Sequence, residues 1–124
     1  MRFPKSTRGT AAFLTLSASL LLGMGQAQAH AQLVRAVPAA NGSVAAPATV
    51  TLHFNEALEA KVSSFKLTDV DGKAVAVMSA SAPDTKSLAA TPAAPLAPGL
   101  YTVSWTAVGD DGHPMKGAYS FTVK

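Results

Sequence analysis

The sequence predicts an all-β domain: a Greek-key β-sandwich or small barrel of about seven strands, with an immunoglobulin-like architecture. Short runs alternate between apolar and polar residues, and the clearest is residues 49–54, where Val50, Leu52 and Phe54 share one face. Pro, Gly and Asn separate such runs at roughly ten-residue intervals, which is the spacing of turns between short antiparallel strands. No run of adequate length combines helical periodicity with capping residues, so we expect little helix.

Each predicted strand ends at a turn signal. The strands cover residues 32–37, 49–54, 63–68, 73–79, 87–91, 100–108 and 117–123. In the first strand, alternation places Leu33 and Ala36 on opposite faces. Asp71-Gly72 predicts a hairpin turn between the third and fourth strands. The last two strands each give one face to large apolar residues, with Trp105 expected in the core: Tyr101, Val103, Trp105 and Ala107, then Tyr119, Phe121 and Val123.

The first 29 residues have the three-part order of a secretory signal peptide. A basic segment is followed by an uncharged, leucine-rich and alanine-rich run at residues 11–24, and then by the small-residue triplet Ala27-Gln28-Ala29. The apolar run falls short of the ~20 residues that a spanning helix needs, which disfavours an uncleaved anchor. We expect export by the general secretory route, cleavage after Ala29, and a mature domain of residues 30–124 that is not inserted in the membrane.

Charge and composition limit what this mature domain can do. Three of the ten basic residues lie in the leader, which leaves seven basic and seven acidic residues in a neutral domain. No basic patch remains that would favour nucleic acid or anionic lipid. The absence of cysteine excludes disulfides and thiolate metal ligands. The domain is long enough for one small core, and a monomer is expected.

Asp111 and His113 are a candidate pair of metal ligands. In an extended backbone, side chains at i and i+2 point to the same face, so these two would lie together while Gly112 turns aside. Pro114 favours an extended conformation for His113. The alternative is an ordinary polar turn between two strands, for which Asp, Gly and His are also suited.

His30 is a candidate ligand because cleavage after Ala29 would make it the first residue. Its amine and imidazole could then chelate one metal ion. A terminal amine has an ordinary pKa near ~7.7, so it loses its proton to a metal at neutral pH at little cost. The alternative is a frayed terminus that begins with histidine by coincidence.

Glu56 and His53 are weaker candidates. Glu56 follows the strand that ends at Phe54, where its carboxylate could reach a site at the edge of the sandwich or could simply be solvated. His53 lies on the face opposite the core residues of its strand, so we expect a surface histidine, or one that supports a ligand. No Ser-His-Asp order, glycine-rich phosphate loop or paired carboxylates occur in a recognisable context.

Four segments together resemble the CopC family of periplasmic copper-binding proteins, in order and over the whole mature domain. They are residues 30–43, beginning His30-Ala31-Gln32; Leu52-His53-Phe54-Asn55-Glu56; residues 101–108; and Asp111-Gly112-His113-Pro114 with the strand that follows. The resemblance implies a β-sandwich that binds one Cu(II) ion at one end. His30 would supply its amine and imidazole, His113 a second imidazole, Asp111 a carboxylate oxygen, and Glu56 a weak ligand or an orienting group.

One branch of that family carries a methionine-rich loop that holds Cu(I). The corresponding region here, residues 75–92, contains only Met78, and Met115 is distant in the sequence. We therefore expect one Cu(II) site and no Cu(I) site.

The resemblance further implies periplasmic copper sequestration, copper resistance or delivery to an inner-membrane copper transport protein, without enzymatic activity. Two alternatives stay open. A small copper oxygenase acting on polysaccharides would use a similar pair of histidines, but the domain offers little surface for a polymer and Asp111 would crowd the open positions on the metal. An immunoglobulin-like structural or adhesion module without metal fits the fold equally well, although it leaves the coincidence of His30 with the cleavage site unexplained.

Overall fold

The computed structural model of the chain describes Arg2 and residues 30–124, so the predicted signal peptide lies, apart from Arg2, outside the described residues. Residues 30–124 form nine strands: β1 (Leu33–Val37), β2 (Ser43–Val44), β3 (Val50–Phe54), β4 (Ser64–Thr68), β5 (Ala74–Val75), β6 (Val77–Ser79), β7 (Ser87–Pro92), β8 (Gly99–Val108) and β9 (Pro114–Val123). Within this described part of the chain, no helix is long and apolar enough to cross a membrane.

The nine strands form two sheets that enclose one core. The four-stranded sheet has the order β1-β3-β7-β6, and the five-stranded sheet has the order β2-β9-β8-β4-β5. Three connections join neighbours within one sheet, namely β4–β5, β6–β7 and β8–β9, and the other five pass between the sheets. Frequent crossing between sheets is typical of immunoglobulin-like sandwiches. The predicted all-β sandwich is confirmed.

The strand count differs from the prediction for two local reasons. The predicted strand at residues 73–79 is two strands, because β5 pairs with β4 in one sheet and β6 pairs with β7 in the other. In addition, β2 is a two-residue ladder that runs parallel to the end of β9. Alternation of apolar residues does not show to which sheet a strand belongs, so the change of sheet between β5 and β6 is invisible in the sequence.

A bulge in β1 overturns the predicted faces of that strand. Leu33 lies opposite Phe54, but the preceding residue of β3, His53, lies opposite Arg35 and not Val34. Two residues of β1 therefore correspond to one of β3, and the side-chain alternation reverses beyond the bulge. As a result Leu33 and Ala36 both pack against the core, and the prediction that they lie on opposite faces is wrong.

The hairpin predicted at Asp71-Gly72 is confirmed. Gly72 has a φ of 78°, and the Asp69 N–H donates to the Lys73 carbonyl oxygen at 2.9 Å. Asp69 Oδ1 also accepts hydrogen bonds from the backbone N–H groups of Asp71 and Lys73. Because β4 is antiparallel to β8, this hairpin lies at the opposite end of the sheet from the β8–β9 turn.

The core follows the apolar faces read from the sequence. Its largest fully buried side chains are Phe121, Leu52, Leu67, Val50 and Val103. Trp105 is partly buried beside this cluster, and its ring meets Phe54 edge to face with centroids 5.1 Å apart. Gly117 lies directly opposite Trp105, so the indole covers a position that has no side chain.

We expect Gly117→Ala to destabilise the domain by about 1–3 kcal/mol, the usual cost of overpacking a core. A Cβ at this position would lie only 2.6 Å from Cε2 of Trp105, so the indole or the strand must shift. Thermal or denaturant unfolding measures the loss. Ser104→Ala, on the exposed side of β8, is the control and should change the free energy of unfolding by less than about 0.5 kcal/mol. Equal stability of the two variants would contradict this account of the Trp105 packing.

Candidate metal centre

His30 lies just before β1, in a segment that is held at two points. The next residue, Ala31, is fully buried. The Gln32 N–H donates to Asn55 Oδ1 at 2.8 Å, and the Asn55 N–H donates to the Gln32 carbonyl oxygen at 3.0 Å. These contacts place the beginning of the described domain beside the end of β3. The sequence pattern does not identify Asn55 as a functional residue. The feature that could have pointed to it is its position directly after the strand that ends at Phe54.

Asp111 and His113 lie in the turn that joins β8 to β9. The Gly112 N–H donates to the Gly109 carbonyl oxygen at 3.0 Å, and Gly112 has a φ of 73°, which favours glycine. The His113 N–H donates to Asp111 Oδ1 at 3.1 Å, a local side-chain bond typical of turns. The predicted extended backbone is therefore wrong: turn chemistry, and not strand alternation, brings the two side chains together.

Three of the four predicted site residues meet in one cluster. His30 Nδ1 lies 2.8 Å from Asp111 Oδ2, and His113 Nδ1 lies 3.4 Å from the same oxygen. The two imidazole rings are 5.7 Å apart between centroids and are inclined by 73°. One ligand atom from each residue lies within 4.8 Å of the others. Donors bound at about 2 Å from a single first-row ion are up to about 4 Å apart, so small side-chain rotations bring this cluster within reach of one ion.

The cluster is anionic at its centre and open to solvent at one side. The pKa of Asp111 is lowered from its ordinary 3.8, first by the His113 backbone N–H and then by hydrogen bonds with the His30 and His113 imidazoles, which outweigh the effect of partial burial. His30 Nδ1 carries the hydrogen in the short contact, since a carboxylate only accepts. The side chain of His113 is 71% exposed, against 35% for His30 and 20% for Asp111. A cation would approach past His113 and displace the His30 proton.

Glu56 is not part of the group whose ligand atoms all lie within 4.8 Å of one another. It follows β3, and its carboxylate fills the space beside Gly109, where a Cβ would overlap Oε1. That oxygen is buried and has no hydrogen-bond partner among the described residues. Burying a carboxylate oxygen without a hydrogen-bond donor costs free energy. A donor placed at this end of the sandwich would therefore be stabilised by a hydrogen bond to Oε1. Gly109 is thus needed for Glu56 to pack behind the turn.

His53 belongs to a separate polar network on the outer face of the four-stranded sheet. Ser87 Oγ donates to Asp84 Oδ1 at 2.8 Å and lies 2.9 Å from His53 Nδ1. Ser87 has one hydrogen, so His53 Nδ1 donates to Ser87 while Nε2 accepts from Arg35 Nη2 at 3.0 Å. Both ring nitrogens are therefore engaged. This network lies outside the group of side chains that could share a metal ion.

Comparisons with known proteins converge on one group. The family model of the CopC domain matches residues 33–124. Copper resistance protein C of Pseudomonas syringae pv. tomato is 41% identical over 119 residues, which cover 90% of this chain and 94% of that protein. The crystal structure of PcoC, a methionine-rich copper resistance protein from Escherichia coli, matches with a TM-score of 0.72 at 42% identity, covering 77% of this chain and 100% of that one. CopC from Methylosinus trichosporium OB3b matches with a TM-score of 0.68 at 37% identity, covering 77% and 94%.

Proposed function

We propose, from the premise that this chain belongs to the CopC family, that it is a periplasmic copper-binding protein. It binds one Cu(II) ion with His30, Asp111 and His113 and serves copper resistance by sequestering the ion or delivering it to an inner-membrane transport protein. The observation that carries the proposal is the 2.8 Å contact between His30 and Asp111, which are 81 positions apart in the sequence. Relatives named as copper resistance proteins support copper as the cargo.

The donor set favours Cu(II) over other common ions. Two imidazoles, a carboxylate and the amine that cleavage after Ala29 would create form a nitrogen-rich set. Such donors suit the tetragonal coordination of Cu(II), which also has the highest affinity among the divalent first-row ions. Cu(I) prefers thioether and thiolate sulfur. This chain has no cysteine, and residues 30–124 contain only Met78 and Met115, whereas the E. coli relative is described as methionine-rich.

Glu56 is proposed as an orienting group. Its Oε1 is buried behind Gly109 and has no donor within residues 30–124, whereas the cluster of His30, Asp111 and His113 is open to solvent. A terminal amine generated at this end of the sandwich is a suitable hydrogen-bond donor for that oxygen. Glu56 would then fix the amine while the other three residues provide the remaining donors.

The proposed role is not enzymatic. Asp111 Oδ2 lies between the two imidazoles, so an ion held by them would also take an anionic oxygen. Oxygen activation by copper requires open coordination positions, which this carboxylate would occupy. The arrangement therefore favours retention of the ion.

Titration of the processed domain, residues 30–124, with Cu(II) tests the proposal. Quenching of Trp105 fluorescence gives the stoichiometry, chelator competition gives the affinity, and electron paramagnetic resonance reports the donor atoms. We expect a single tight site with a nitrogen-rich tetragonal spectrum. Absence of a tight site would instead support the immunoglobulin-like module without metal.

His113→Ala is expected to weaken Cu(II) binding at least about tenfold, because it removes an imidazole donor. The side chain is 71% exposed, so the free energy of unfolding should change by less than about 0.5 kcal/mol. His53→Ala is the matched control, since His53 lies outside the cluster and should leave copper affinity unchanged. Equal affinity of His113→Ala and wild type in a chelator competition would remove His113 from the site.

A further inference from the structure

We infer that Asn55 is a positioning residue of the copper site, because its side chain fixes the beginning of the processed domain so that His30 reaches Asp111. The inference rests on the proposed function in one respect: it takes the cluster of His30, Asp111 and His113 to be the Cu(II) site. The carboxamide oxygen of Asn55 is engaged by the Gln32 N–H and is therefore not offered to the ion. Asn55 acts through the backbone of Gln32.

The contact between Asn55 and Gln32 continues the pairing of β1 with β3 one residue beyond the end of the two strands. β1 and β3 pair up to Leu33 opposite Phe54, and β3 ends there. One residue further on, the Asn55 N–H still donates to the Gln32 carbonyl oxygen at 3.0 Å. The Gln32 N–H is bound by the carboxamide oxygen Asn55 Oδ1, at 2.8 Å, in the role that a backbone carbonyl plays within a sheet. One residue thus satisfies both backbone groups of Gln32.

The two hydrogen bonds between Asn55 and Gln32, here called the clamp, hold the processed chain where it would otherwise be free to move. Among the described strands, β1 lies at the edge of its sheet and pairs with β3 alone, and the bulge between Leu33 and Arg35 already interrupts their pairing. Terminal residues are poorly ordered unless something ties them down. Gln32 is two residues from His30, and the segment is otherwise held by the burial of Ala31 and by the contact of His30 with Asp111. Removing the Asn55 side chain would therefore loosen His30, the metal ligand at the start of the processed domain.

Asn55 can be changed with little risk to the fold, because it is exposed and lies outside the core cluster. Two variants separate its roles. Asn55→Ala removes the acceptor oxygen, and Asn55→Asp retains an oxygen that can bind the Gln32 N–H. Asp69→Ala is the matched control, because Asp69 Oδ1 also binds backbone N–H groups but does so at the far end of the sandwich.

The test measures Cu(II) affinity by chelator competition, the copper spectrum by electron paramagnetic resonance, and amide hydrogen exchange of the metal-free domains. We expect Asn55→Ala to lose about 10–100-fold in affinity and to give a heterogeneous spectrum, as changes in groups that support ligands generally do. Its Gln32 amide should exchange rapidly while the Val103 amide in β8 stays protected. Asn55→Asp should restore both the protection and the spectrum, and Asp69→Ala should match wild type in copper binding.

Two results would overturn the inference in different ways. If wild type binds Cu(II) and Asn55→Ala binds it with the same affinity and spectrum, Asn55 does not position His30, and the proposed function stands without it. If wild type binds no Cu(II), the proposed function is wrong and the inference falls with it. The exchange of the Gln32 amide then still reports, without any metal, whether the clamp exists.

Discussion

One extra residue ahead of His30 in the processed domain is expected to weaken Cu(II) binding by more than about 100-fold. The addition moves the terminal amine one residue away from the His30 imidazole and turns the nitrogen of His30 into an amide, which must give up its proton before it can bind a metal. It also removes the chelate that the amine and the His30 imidazole would form together. Loss of a group that merely supports a ligand typically costs about 10–100-fold, so loss of a donor within a chelate should exceed that range.

A glycine placed ahead of His30 is the variant, and a glycine placed after Lys124 is the control. Lys124 is exposed, so the control adds the same residue without touching the site. Chelator competition gives the affinities, and the electron paramagnetic resonance spectrum of the variant should lose one nitrogen donor. Tight binding by both proteins with identical spectra would show that the amine is not a ligand.

Asp111→Asn is expected to weaken Cu(II) binding at least about tenfold at every pH between about 5 and 8. The asparagine keeps an oxygen that can accept the His113 N–H, so the turn is retained. It loses the negative charge and the second carboxylate oxygen, Oδ2, to which both His30 and His113 lie close. Affinity should therefore fall while stability changes little.

The pKa of Asp111 sets the pH range over which its carboxylate is ionised. Hydrogen bonds hold that pKa below the ordinary 3.8. The stabilisation from the ionised carboxylate is therefore complete above its ordinary pKa and is lost only as the pH falls through the lowered value. Between about pH 5 and 8 the carboxylate therefore stays ionised and adds no slope of its own. Protons compete with the metal at nitrogen donors, so affinity rises with pH in both proteins.

Asp110→Asn is the matched control for this experiment. Asp110 is an exposed carboxylate in the same turn and lies outside the cluster. It therefore reports the diffuse effect of removing one negative charge near the site. An equal loss of affinity in the two variants would show that Asp111 contributes only general electrostatic attraction and is not a ligand.

Local patterns in the sequence were enough to predict the all-β class and most of the core. Alternation gave the buried faces of β3, β8 and β9 correctly, because a strand with one buried face must place apolar residues at every second position. The Asp71-Gly72 hairpin followed from turn chemistry in the same way. Where an extra residue enters a strand, as in the β1 bulge, the same pattern predicted the wrong faces for Leu33 and Ala36, since spacing alone does not reveal a bulge.

The candidates for the site could be named from the sequence alone: His30 beside the predicted cleavage position, the Asp111-Gly112-His113 turn, and a resemblance that joined them to Glu56. The tertiary structure alone decided which of them meet. It brings His30 to Asp111 across 81 positions, places Glu56 behind Gly109, and ties the start of the domain to Asn55. Local spacing carries no information about such contacts, because they depend on how two sheets pack and on which loops come together at one end of the sandwich.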